Sequence, residues 1–348
     1  MVTVTTRRGR KVEIISQCEL RDPLIAGEYV RAYCHIHGSD HQRSLSINKA
    51  TGWGHCFNAY CQATVVVAEW NPTVAAYLLD AEEQDLSSSP LPLPNPTQEK
   101  LPLALQPVLL HAPKTTPKWQ QDELTALMSL EERMHRAVAH APQVQAYIEG
   151  RGLPIEIALT TGVCCLPREM PYLLHDTKQQ RRLRRWAGRI VFPLVTPTGK
   201  GYIGRTLWHW RPGMDENTHK ALLDQYRRPR RWIKTNPAGW FSCPLEQLSD
   251  CIILVEGAFD RLTLLTAGFA STEVVALTGT AAQADWFPPQ VKTIVLALDG
   301  DEGGKEATSR LADQLMCEGF NVRVCPPPSD KWGKDWNERW RKIGQESI

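Results

Sequence analysis

The C-terminal part of the chain has the plainest pattern of apolar and polar positions. The runs CIILV (Cys251–Val255), VVAL (Val274–Leu277) and IVLAL (Ile294–Leu298) are apolar without a break, and FNVRV (Phe320–Val324) follows them. Between them lie AFDRLTLLTAG and KEATSRLADQLMCEG, with apolar positions at helical spacing and stops at Gly268 and Gly319. Continuous apolar strands alternating with helices predict a parallel sheet covered on both faces. Near the N-terminus, HQRSLSINKATGWGHCF reads as two short strands around Thr51-Gly52. Eight prolines fall between Pro90 and Pro117. Proline fixes φ and removes a donor, so this stretch reads as a partly extended linker. The predicted fold class is α/β and multi-domain: a β domain over 1–81, a linker over 82–118, a basic α+β segment over 119–245 and a parallel-sheet domain over 246–348.

The apolar runs end in acids. Glu256 follows the first strand, with Gly257 to turn the backbone and Asp260 one helical turn later. The stretch VLALDGDEGGKEA sets Asp299 and Asp301 after the third. In parallel sheets ligands sit outside the carboxyl ends of the strands, so two strands put acids on one rim. Gathering like charges costs free energy that a cation offsets, and Mg²⁺ or Mn²⁺, hard and oxygen-seeking, is the natural candidate. GDEGGKEA is not a phosphate-binding P-loop: three residues rather than four separate Gly300 from Gly304, and Glu306 stands where Ser or Thr is needed.

Cys34, His37, Cys56 and Cys61 form a C-x2-H pair and a C-x4-C pair. Thiolates and imidazole at such spacing suit tetrahedral Zn²⁺, and the hairpin between the pairs makes a zinc ribbon. His35, His41 and His55 lie close by, and His55 is an alternative ligand to one of the cysteines. A segment this short needs such a staple.

Charge changes the picture locally. The net charge is +2, but Lys178 to Lys234 carries 15 Lys or Arg against 3 Asp or Glu. A basic block in a near-neutral chain is the footprint of polyanion binding. Arg181, Arg182, Arg184 and Arg185 form a run for a nucleic-acid backbone or for a solvated helix face. Trp186, Trp208, Trp210 and Trp232 interleave with the charges, where they serve as core or stack bases. No apolar run approaches the ~20 residues that cross a bilayer, and the N-terminus has no apolar signal core. The expectation is a soluble cytoplasmic protein with reduced cysteines.

These motifs resemble a known family. VEGAFD with LDGDEGG, and ALTGT on the strand between them, resembles the TOPRIM domain of DnaG-type primases, of topoisomerases and of some nucleases. CHIH, RSLSI and HCFNAYC are similar in order to the primase zinc-binding domain, with Leu45 in place of an aromatic and two extra residues in the last pair. YIEGRGLPIEIALTTG, WAGRIVFPLVTPTGKGYIGRTL and RRPRRWIKTNPAGWF resemble successive parts of the primase polymerase core.

The resemblance implies a compact primase that makes short RNA primers from NTPs on single-stranded DNA by two-metal nucleotidyl transfer. Glu256, Asp299 and Asp301 would hold Mg²⁺ with Asp335 as a further acid, and Asp260 would join the catalytic group. Arg189, Arg205, Lys234 and Asn236 would position triphosphate and template. The chain stops soon after the fourth strand, which suggests a plasmid, phage or mobile-element form that meets its helicase as a separate chain. The alternatives are a TOPRIM nuclease using the same acids, and an inactive single-stranded DNA-binding adaptor.

Overall fold

The computed structural model describes residues 1–37, 42–86, 117–226, 230–236, 238–279, 281–328 and 330–346. They fall into two compact units, and the first joins the N-terminal region to Ser309–Val322. Its seven strands lie in the order Val2–Thr5, Lys11–Ile15, Thr64–Val67, Trp53–Cys56, Leu45–Asn48, Tyr29–Tyr33 and Arg21–Ala26. The hairpin read around Thr51-Gly52 is present, with Ser46 opposite His55. Gly52 has φ +70°, and a Cβ there would lie 3.0 Å from the Asn71 side chain. That is a turn only glycine makes without strain.

The first two strands were not foreseen. The V-T-V-T alternation before Arg7-Arg8-Gly9 carries the signal: Val4 and Val12 are buried and pair across the hairpin. They pack with Val66, with Val74 and Leu78 of the helix Pro72–Leu86, and with Cys317. Trp53 donates its indole N–H to Asp313 at 3.2 Å. The helix runs five residues past the expected limit at 81. Residues 87–116 of the expected linker lie outside the described residues.

The second unit is built on two sheets. One is antiparallel, in the order Trp232–Lys234, Gly199–Thr206, Arg189–Thr196 and Cys164–Leu166. The long helix Lys118–Val138 lays Ala126, Leu127, Leu130 and Met134 against its Val191 and Tyr202 and against Trp186. The other sheet sets Val274–Ala276 and Thr293–Leu296 on either side of Cys251–Val255. Cys251–Val255 pairs in parallel with both of its neighbours, as the continuous apolar runs require. The two sheets share a core in which Tyr147, Phe192, Phe241 and Phe259 meet edge to face.

One connection is out of proportion. Gly199–Thr206 and Trp232–Lys234 are antiparallel neighbours, which a turn of ~2–5 residues can join. Here Leu207–Arg231 intervenes and contains the helix Glu216–Gln225, capped by Asp215.

Candidate active site and nucleic-acid groove

Glu256 leaves the end of the strand Cys251–Val255, and Gly257 opens the helix Ala258–Thr266. Asp260 is buried and accepts hydrogen bonds from the backbone N–H groups of Gly257 and Asn337, both at 3.1 Å. A Cβ on Gly257 would lie 2.7 Å from the Asp260 carboxylate, and one on Gly304 would lie 2.0 Å from the carbonyl oxygen of Asp299. These two glycines let the acids close in on the backbone. Asp301 accepts from the Gly304 N–H at 2.9 Å and from the Lys334 ammonium. Asp335 caps the helix Trp336–Glu346 by accepting from the N–H of Glu338 at 2.6 Å.

The five carboxylates feel one another. Burial, followed by Asp260, Glu256, Asp335 and Asp301, pushes the Asp299 carboxyl up to about 8. Burial and then Asp335 push Asp260 up to about 7, and burial and then Asp301 push Glu256 up. Asp301 is held down, chiefly by its bond from Lys334. Such mutual repulsion is what a bound cation relieves. The carboxylate oxygens are spread more widely than the ligand atoms of the cysteine cluster. Among the described residues, the latter alone form a group of three or more with all ligand atoms within 4.8 Å. The wider spacing suits an ion that keeps several of its waters, as Mg²⁺ does.

Cys34, His37, Cys56 and Cys61 come together as the spacing predicts. The Cys34 and Cys61 sulfurs are 3.7 Å apart, and His37 Nε2 is 3.4 Å from the Cys56 sulfur. A tetrahedron with Zn–S bonds of ~2.3 Å has edges of ~3.8 Å, so the donor set fits. Burial pushes the Cys34 thiol up to about 12. His55 is not in the cluster; its ring meets Phe57 instead. His41 lies outside the described residues.

A groove of about 1300 Å³ runs along the basic part of the second unit. Arg168, Arg184, Arg185, Arg189, Arg230 and Lys234 line it, and among the described residues no acid does. Trp208, Tyr226 and Trp232 line it too. Trp186 and Trp210 are core, so two of the four tryptophans singled out face the groove.

The expected phosphate ligands divide. Lys234 is exposed and donates to the carbonyl of Gly279, on the loop that leaves the strand Val274–Ala276 at the acidic end of the sheet. Asn236 is exposed and donates to Gln120. Arg189 is buried in the groove wall, where Nε donates to the carbonyl of Arg185. Arg205 is wholly buried and donates to Glu216 at 2.6 Å. Its partners make it part of the scaffold, away from the open groove. Of the run at 181–185, Arg184 and Arg185 reach the groove, and Arg185 pairs with the buried Glu123. Arg182 lies over Trp119, and Arg181 is exposed on the short helix Thr177–Leu183.

Glu216 is the residue that sequence reasoning missed most completely. It accepts from Arg151, Arg205 and Arg231 and from the Tyr147 hydroxyl. Burial pushes its pKa up, but Arg151 and then Arg205 outweigh that and hold it down at about 2. Arg151 also donates to Asn337 at 2.7 Å, and the Asn337 N–H bonds Asp260. A continuous polar chain thus runs from the inserted helix to the acidic rim.

Residues 253–340 match a Toprim-like family model. A DNA primase of Staphylococcus epidermidis is 28% identical over 222 residues, covering 61% of this chain and 34% of the relative. One of Clostridium acetobutylicum is 30% identical over 169 residues, covering 47% of this chain and 26% of the relative. The chain thus spans about a third or less of the length of these relatives. A solved structure of the zinc-binding and RNA polymerase domains of the Aquifex aeolicus primase covers 95% of this chain and 79% of that one, at 18% identity and a TM-score of 0.48. Among the described residues, no helix is long and apolar enough to cross a membrane. Residues 253–340 thus resemble a Toprim-like domain, in a chain whose sequence relatives include bacterial DNA primases.

Proposed function

We propose that this chain is a primase, a template-directed polymerase that joins NTPs into short RNA primers on single-stranded DNA in the cytoplasm. One observation carries the reading. Five mutually repelling carboxylates at the strand ends of a Toprim-like sheet share a compact unit with a groove whose described lining holds six cations and no acid.

Glu256, Asp299, Asp301 and Asp335 are the residues that would hold Mg²⁺ or Mn²⁺, with Asp260 behind them. A divalent ion there supplies charge neutralisation at the reacting phosphate and a lower pKa for the attacking hydroxyl. Lys334, already at Asp301, and Lys234, bonded to the Gly279 carbonyl, are placed to meet triphosphate oxygens. Arg168, Arg184 and Arg230 present guanidinium forks to strand phosphates. Arg189 shapes the groove wall, and Arg205 holds the inserted helix. Cys34, His37, Cys56 and Cys61 would hold one structural Zn²⁺. A replicative helicase on a separate chain is the partner this reading expects.

The test is synthesis from labelled NTPs and dNTPs on random single-stranded templates with Mg²⁺. Short products are expected; nicking of the template without synthesis would make the same rim a nuclease centre. The groove is checked by salt dependence. Each strand phosphate neutralised contributes roughly −0.7 to the slope of log affinity against log salt. Arg184→Ala and Arg230→Ala are each expected to flatten that slope by about one contact, and Arg181→Ala to leave it unchanged. The zinc assignment predicts one Zn²⁺ per chain by elemental analysis and its loss in Cys34→Ala and in Cys61→Ala, because a structural site needs all four ligands.

A further inference from the structure

Within the connection between the strands Gly199–Thr206 and Trp232–Lys234, the stretch Leu207–Tyr226 is held in place far more firmly than a surface loop needs to be. Its helix is tied down by Glu216 to Arg151, Arg205 and Arg231. Its first residues are fixed separately. The Trp208 N–H donates to the Thr206 hydroxyl at 3.2 Å, and the Trp208 carbonyl accepts from His219 Nε2 at 2.8 Å. His219 is wholly buried, and its Nδ1 faces the Arg205 guanidinium at 3.2 Å. Arginine only donates, so Nδ1 must accept and Nε2 must carry the proton given to Trp208. Next in the chain, His209 has φ +58°, a left-handed conformation that costs a non-glycine residue ~1–3 kcal/mol.

The result is an aromatic group at the groove. Trp208 meets Tyr226 at 5.4 Å between ring centroids with the planes at 89°, and His209 lies against both rings. Trp208 and Tyr226 line the groove beside Arg184, Arg168 and Arg230. Tyr226 is 54% exposed, so its ring is not spent on packing. At about 1300 Å³ the groove exceeds the ~300–1,000 Å³ of a site for one small ligand. Flat aromatic faces amid cations are how single strands are bound without reading sequence, with bases stacking while phosphates meet the charges.

We propose that Trp208 and Tyr226 form a stacking station for a nucleobase of a single strand whose phosphates lie on Arg184, Arg168 and Arg230. This rests on the groove being a nucleic-acid path and adds what that path grips besides charge. The station lies on the insertion between paired strands, and its ligand is a base of the bound strand.

The test compares a labelled thymidine oligonucleotide with an abasic oligonucleotide of equal length, both titrated into the full chain. The parent should bind the thymidine strand more tightly. Trp208→Ala and Tyr226→Ala should each weaken that strand about tenfold, the effect of losing one stacked base. The abasic strand should bind the variants as it binds the parent, with the same salt slope. Trp208→Phe, which keeps a π face, should recover most of the loss. Tyr226→Ala removes an exposed ring, so it gives an answer even if Trp208→Ala disturbs the fold. If the parent holds both strands equally and the alanine variants change neither, the stacking station is wrong and the charged path stands. If the parent binds neither strand, both ideas fall.

Discussion

Asp299→Ala is expected to abolish primer synthesis, a loss of about 10³-fold or more if the bound ion contributes several kcal/mol to the transition state. The folded protein should survive, and in the absence of divalent ions it should melt at a higher temperature than the parent. Asp299 is a half-buried carboxylate repelled by four others, and removing it relieves that repulsion. Mg²⁺ should raise the melting temperature of the parent and do so much less for the variant. Glu256→Ala should follow the same pattern, with a smaller gain in metal-free stability, whereas Asp301→Ala should lose synthesis without any such gain, because Lys334 already stabilises that carboxylate. In Asp301→Ala the ammonium of Lys334 also loses its partner. Parent-like synthesis by Asp299→Ala at saturating Mg²⁺ would remove this residue from the site, whatever became of its stability.

Glu216→Ala is expected to cost about 3–5 kcal/mol, the range for leaving buried charge uncompensated. It abandons Arg205, whose side chain is 0% exposed, and Arg151, at 13%. The loss should appear as a lower denaturant midpoint and should not be rescued by Glu216→Gln, which cannot neutralise a guanidinium. The effect depends on pH with a definite sign. The folded carboxyl is held at about 2 against an ordinary value of 4.5, so its stabilisation is complete above about 4.5. It fades as the pH falls towards 2 and is worth about 3 kcal/mol over that window. Parent and Glu216→Gln should therefore differ at pH 7 and converge near pH 2. A constant difference across that range would mean that the glutamate acts through packing and not through its charge.

Much of this molecule can be read from residue order where the chemistry is local. Apolar runs bounded by glycine gave the strands and helices of the Toprim-like sheet, because a strand buried on both faces needs no partner to be recognised. The cysteine and histidine quartet was legible because its two pairs flank a hairpin. Strand alternation even settles His55: it neighbours Cys56 on one strand, so it points to the opposite face. Arg205 shows where such reading stops. In a basic segment an arginine looks like a phosphate ligand, and nothing in its neighbourhood announces that Glu216, on an inserted helix, has already claimed it. Glu216 itself looks like an ordinary acid in the first turn of a helix. The groove was visible only as a charge excess, since Arg168, Trp208, Tyr226 and Arg230 meet there through folding and not through spacing.

The attachment of the inserted helix also constrains how this chain can change over evolutionary time. Most surface insertions can be lengthened, trimmed or lost one mutation at a time, because nothing inside depends on them. This one supplies the counter-charge for two arginines of the core, Arg151 and Arg205. Deleting it would strand both, and replacing either arginine first would weaken its anchorage. The helix and the two arginines can therefore be gained or lost only together. A descendant without the helix would have to change those two positions or turn their guanidinium groups towards a new anion.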